Sequence, residues 1–330
     1  MTAGRGYYQE KGEPARELRP GDVVEIPADV VHWHGAAPDS WFSHLAVECN
    51  PAANVNTWLE PVGDAEYEAA TAMSWCRPGL SAAAVKNAEM WFPGEAPAFV
   101  KTDPELAEVF GNFAFDEVQR YGKLDVKTRV LVTMASSLAQ QAAATYEMTL
   151  RAALANGVAP VAIREVLYQA VPYVGMAKVV DYIALTNDFS KSGNGVEPPL
   201  EPQAITTPET RMEKGLALQK EIFGDEIERM YETSPANQLH IQRALSGNCF
   251  GDYQTRTGLD VRTRELLTFS MLVSLGGCEP QVKGHIRGNV NVGNDKDVLL
   301  AVVTQLLPYI GYPRTLNAIA CLNEVIPERG

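Results

Sequence analysis

Leu124-Asp-Val-Lys-Thr-Arg129 and Leu259-Asp-Val-Arg-Thr-Arg264 are almost the same six residues, set 135 positions apart. Farther along, Gln169-Ala-Val-Pro-Tyr-Val-Gly returns as Gln305-Leu-Leu-Pro-Tyr-Ile-Gly, Gly157 as Gly293 and Asn187 as Asn323, now at a constant spacing of 136. One inserted residue accounts for the difference. Self-similarity at a fixed period marks a duplicated structural unit, and here it decides the architecture. Helical periodicity sets in at Pro104. Asp125 is placed to cap a long helix, and amphipathic segments follow at about 141–155, 160–171 and 176–188, punctuated by Gly157 and Gly175. The pattern predicts a mainly α protein in which two tandem helical units pack as a pseudo-dimer around a shared core.

The bulk composition narrows the function classes. A formal net charge of −13 over 330 residues repels phosphate backbones, so no nucleic-acid partner is expected. No stretch reaches the roughly 18 apolar residues of a membrane helix. The opening Met1-Thr-Ala-Gly-Arg-Gly has no apolar core of the kind a signal peptide needs. Cys49, Cys76, Cys249, Cys278 and Cys321 are odd in number and contain no CxxC, which argues for reduced thiols and a cytoplasmic location.

Before the helical region, residues 6 to about 60 carry short β-branched and aromatic runs, Gly6-Tyr-Tyr-Gln, Asp22-Val-Val-Glu-Ile-Pro and Phe42-Ser-His-Leu-Ala-Val-Glu, separated by turn signals. They predict strands. Residues 63–100 predict a short helix followed by an extended linker.

The two repeats differ chemically. Glu265 corresponds to Val130, Cys278 to Ala142, Glu279 to Ala143 and His285 to Thr149. Any one of these residues alone would be read as core packing or solvated surface. Their joint loss from the first copy makes the second the working one and the first a structural partner. Within Ser274-Leu-Gly-Gly-Cys-Glu-Pro-Gln-Val-Lys-Gly-His, Gly276-Gly277 should end one helix and Pro280 should open the next. Cys278 would then sit at a helix N-terminus, where the dipole favours a thiolate. His285 lies seven residues on, two turns along the same face. With Glu265 from the preceding helix, these residues offer a nucleophile or acid, a base and an orienting carboxylate.

Phe250-Gly-Asp-Tyr-Gln-Thr-Arg-Thr-Gly-Leu, Arg262-Thr-Arg-Glu-Leu-Leu-Thr, Glu279-Pro-Gln-Val-Lys-Gly-His-Ile-Arg and Pro308-Tyr-Ile-Gly-Tyr-Pro together resemble the carboxymuconolactone decarboxylase family. The resemblance covers about 235–325 well and 104–190 more loosely. It implies an all-helical fold, a homo-oligomer, and acid–base chemistry on a small organic acid or lactone without a cofactor in the helical part. It also implies His285 as general acid/base; Glu265 or Glu279 would tune it, and Cys278 would line the pocket or serve as a thiol acid. An anionic substrate would call for a cation such as Arg256, Arg264 or Arg287. The alkylhydroperoxidase D branch of the same superfamily uses Glu, CxxC and His. Glu265, Cys278 and His285 match that spacing, but Gln281 stands at the second cysteine position. A thiol-dependent peroxidase working through Cys278 therefore stays open as an alternative, as does a non-catalytic oligomeric binding protein.

Pro20-Gly-Asp-Val-Val-Glu-Ile-Pro-Ala-Asp-Val-Val-His-Trp-His-Gly resembles the second cupin motif. That resemblance implies a metal ligand at His32, with His34 beside it, in a β half-barrel whose first motif would lie upstream. A divalent metal there would need the missing motif. The expected organisation is then a partial cupin at 1–62, a linker at 63–100, an alkylhydroperoxidase D-like repeat at 101–192, linker and helices at 193–234, and the active repeat at 235–330.

Overall fold

The computed structural model describes residues 1–328 apart from 14, 19, 38–39, 48–54, 72–78, 93–95, 98 and 191–197. Cys49 and Cys76 lie outside the described residues. The chain divides into two compact units, residues 1–74 with 94–96, and residues 75–93 with 97–330.

In the first unit, β1 (Ala3–Gly4), β2 (Gly6–Glu10), β3 (Arg16–Leu18), β4 (His32–Ala36) and β5 (Phe42–Ser43) precede helix α1 (Asp64–Thr71). Strand β2 is central, antiparallel to β3 on one side and β4 on the other, while β1 pairs with β5. Trp33 Nε1 donates to Gln9 Oε1 at 2.8 Å, and Tyr67 Oη donates to the Ala36 carbonyl, which ties α1 to β4. The strand expected at Asp22–Pro27 does not form. The stretch joins no sheet, and Val23 is 82% exposed. Strand propensity is realised only where another backbone supplies partners and a face to bury.

The second unit is helical, and the alanine-rich part of the expected linker belongs to it. Helix α2 (Ala82–Trp91) is capped by Ser81, whose hydroxyl accepts the Ala84 N–H at 3.0 Å. Ala84, Ala88 and Trp91 form its buried stripe. Next come α3 (Phe99–Thr102), α4 (Pro104–Asn112) and a π-helical turn (Phe113–Glu117). The rest of the first repeat is α5 (Val126–Ala139), α6 (Ala143–Ala155), α7 (Pro160–Val174) and α8 (Met176–Phe189). The second repeat follows with α9 (Arg211–Phe223), α10 (Glu226–Thr233), α11 (Leu239–Ala244), a π-helical segment (Leu245–Gln254), α12 (Val261–Leu275), α13 (Glu279–Asn291) and α14 (Lys296–Val325).

The duplicated hexapeptides start the two central helices. Asp125 accepts from Thr128 N at 3.0 Å and Asp260 from Thr263 N at 2.8 Å. Helices α5 and α12 are buried along most of their length and pack on each other, with Ser274 Oγ donating to Ser136 Oγ at 2.7 Å. The arginine closing each hexapeptide reaches the glutamine of the other repeat: Arg129 Nη1 to Gln305 Oε1 at 2.6 Å, and Arg264 Nη1 to Gln169 Oε1 at 3.1 Å. Such reciprocity is what a pseudo-twofold axis produces. Equivalent glycines also make equivalent bends. Gly175, at φ 91°, separates α7 from α8, and Gly311, at φ 75°, kinks α14. Both lie in the left-handed region that favours glycine.

Candidate active site

Helix α12 presents Glu265 and helix α13 presents His285. His285 Nδ1 lies 2.8 Å from Glu265 Oε2, with Glu265 0% and His285 9% exposed. A buried carboxylate needs such a partner, because desolvation without one is costly. The helices are held in register by Asn289, one turn beyond His285. Its Nδ2 donates to the carbonyls of Glu265 at 3.0 Å and His285 at 2.7 Å. Asn294 Nδ2 donates in turn to Asn289 Oδ1 at 2.8 Å and to the Arg262 carbonyl at 3.0 Å. The first repeat has Ala153 and Val158 at the positions of Asn289 and Asn294, so the brace is missing there along with the pair it supports.

Two aromatic rings stand edge-on to the imidazole. Phe223 of α9 is 5.3 Å away and Tyr173, from the first repeat, 5.6 Å, centroid to centroid. Gln254 Nε2 donates to Tyr173 Oη at 2.8 Å, and Tyr173 packs against the buried cluster that contains Cys249. Burial pushes the Tyr173 phenol well above its ordinary value, and the nearby Cys249 and Glu265 add to this. Burial likewise pushes the Cys249 thiol up to about 12, and the Glu265 charge works in the same direction. Both therefore stay protonated at neutral pH. Glu265 Oε1 is buried and accepts no hydrogen bond from the described residues.

The other expected site residues lie elsewhere. Cys278 and Glu279 line a separate cleft with Val282, Arg314, Asn317 and Cys321. Cys278 is the cap of α13, two turns before His285 and about 10 Å along the helix. Its thiol donates to the Leu272 carbonyl at 3.2 Å. The expected thiolate is thus corrected. Burial first, then the Glu279 carboxylate and Cys321, push Cys278 up rather than down. A sulfur turned onto the carbonyl end of α12 feels that dipole instead of the positive end of α13.

The three arginines are engaged with carboxylates. Arg264 Nη2 is 2.8 Å from Glu165 Oε2, and Arg256 Nη2 is 3.0 Å from Glu165 Oε1. Arg287 Nε pairs at 3.0 Å with Glu226 near the surface. In the first unit, His32 and His34 stack at 6.0 Å, and His44 stands edge-on to His34 at 4.7 Å. Burial, then His44 and His32, lower the pKa of His34. Among the described residues no three His, Cys, Asp or Glu side chains are placed to hold a metal ion. No helix among them is long and apolar enough to cross a membrane.

Sequence reasoning missed Tyr173, Phe223, Gln254 and the Asn289–Asn294 brace. It compared the repeats for ionisable residues lost from the first. Tyr173 has a tyrosine counterpart, Tyr309, and so passed unnoticed. For Cys249 the signal was present, since Ala114 stands opposite it.

Residues 104–188 and 240–324 each match the model of the carboxymuconolactone decarboxylase family. Together they make up half of the chain, and the protein belongs to that family. It is similar to the 4-carboxymuconolactone decarboxylase of Acinetobacter baylyi, 29% identical over 123 residues, which are 37% of this chain and 91% of that protein. It is also similar to the (R)-mandelonitrile lyase of Granulicella tundricola, 40% identical over 67 residues, 20% of this chain. The chain spans about half the length of that lyase, 51%.

Proposed function

We propose that the protein is a lyase of the decarboxylase type acting on a small organic acid or lactone, with His285 moving the proton and Glu265 orienting the ring and offsetting its charge. The observation that carries this reading is the 2.8 Å contact between His285 Nδ1 and Glu265 Oε2 in a buried setting. A carboxylate on one ring nitrogen selects the tautomer and leaves the other nitrogen for proton transfer. The kinship with a decarboxylase over nearly that protein's whole length supports the same reaction class. A thiolate reaction through Cys278 draws less support, because that thiol lies two turns away and is held protonated.

The test uses 4-carboxymuconolactone, the compound in that relative's name, with carbon dioxide release as the signal. His285→Ala should lower turnover by at least about 100-fold, the usual scale of general acid–base catalysis. Unchanged turnover in that variant would refute the assignment.

A further inference from the structure

The degenerate repeat does more than pack. We propose that the catalytic centre is shared between the repeats, with Tyr173 of the first repeat as the proton donor to the substrate oxygen on which charge develops. This inference rests on the acid–base reading of Glu265 and His285.

Four observations converge on it. The Tyr173 ring stands edge-on to His285 at 5.6 Å, although it arrives from the other repeat. Its oxygen already accepts a hydrogen bond. Gln254 Nε2 donates to it at 2.8 Å. With a donor directed at that oxygen, the phenol's own proton remains to be given. Third, Glu265 Oε1 is a fully buried acceptor with no donor among the described residues, on the carboxylate whose other oxygen meets His285. A ligand bearing a donor would complete it. Fourth, the pseudo-equivalent Tyr309 is not in such company. It packs edge-on to Phe110 at 6.0 Å, and the positions matching Glu265, His285 and Cys249 hold Val130, Thr149 and Ala114.

The chemistry balances without a further reagent. As the carbon–carbon bond to the departing carboxylate breaks, its electron pair moves into the adjacent carbonyl and carbon dioxide leaves. The enolate oxygen takes the proton of Tyr173, giving an enol and a phenolate. The enol is then protonated on carbon by His285 while its O–H proton returns to the phenolate. His285 regains its proton from water. A preplaced donor at a developing oxyanion is among the larger contributions an active site makes.

The experiment compares the full chain with Tyr173→Phe, Tyr309→Phe and His285→Ala, using 4-carboxymuconolactone as the probe and thermal unfolding as the check on folding. Tyr173→Phe should lower kcat by about 100-fold or more, as loss of one oxyanion donor does, with KM within about threefold. Tyr309→Phe should keep its kcat. Gln254→Met, which leaves the phenol but removes one of the groups holding it, should lower kcat by a smaller factor and leave KM unchanged. If His285→Ala abolishes turnover while Tyr173→Phe retains it, the donor role is wrong and the acid–base reading stands. If the unaltered protein does not turn the compound over, both fall.

Discussion

At the scale of single residues, burial decides which groups carry charge. Glu265 is buried yet has His285 as its partner, whereas Cys249, 6% exposed, has only neutral neighbours and the Glu265 charge. The folded thiol thus holds its proton to about 12, against an ordinary value of 9.0. The sign of the linkage follows. Below pH 9.0 both folded and unfolded thiols are protonated; above it the unfolded chain loses a proton that the folded chain keeps. Stability should therefore fall as pH rises from 9.0 through about 12, less steeply in Cys249→Ala. Urea unfolding across that range checks it, and a slope unaffected by the substitution would contradict it. Cys278 gives a second prediction. Because it lines another cleft with its thiol on the Leu272 carbonyl, Cys278→Ser should keep turnover within about threefold of the parent, well short of the factors that general acid–base groups contribute. A hundredfold loss would place the sulfur back in the chemistry. Spacing made Glu265 and His285 legible as a pair, and it equally suggested Cys278. Seven residues put two side chains on one face of a helix but say nothing of the distance to a third group on another helix.

At the scale of elements, the caps and breaks were legible because their causes are local. Asp125 and Asp260 cap through their own side chains, and Gly276 ends α12 at φ 69°. Helix α2 was hidden. Its buried stripe of Ala84, Ala88 and Trp91 reads as featureless in an alanine-rich stretch until a partner surface is known. The arginines followed the same logic in reverse. Charge and proximity in sequence suggested substrate binding, but Arg264 is 1% exposed and spends its guanidinium on Glu165, Gln169 and the carbonyls of Arg256 and Thr257. Removing one partner of a buried pair leaves the other uncompensated, so Arg264→Ala should cost about 3–5 kcal/mol in chemical denaturation. A cost under about 1 kcal/mol, the level of an exposed pair, would show that the bridge holds nothing together.

At the scale of the molecule, the two repeats complete each other. The 123 residues matched in the A. baylyi decarboxylase are 91% of that protein, so it has the length of a single repeat. The pseudo-twofold arrangement then has a direct consequence. Residues 198–330, made alone, would expose the face of α12 that α5 covers, and should self-associate in pairs by sedimentation, with Tyr309 of each copy offered to the other. A well-folded monomer would contradict this. What the sequence determined by itself was the duplication, the helical class and the copy that kept Glu265 and His285, because repeats, periodicity and side-chain chemistry are properties of the linear order. Only the tertiary structure decided that Cys278 stands apart, that Arg256 and Arg264 are internal struts, and that Tyr173 crosses from one repeat to the other. Those outcomes depend on which helix packs on which, and packing is settled by the burial of whole faces at once rather than by any local stretch of chain.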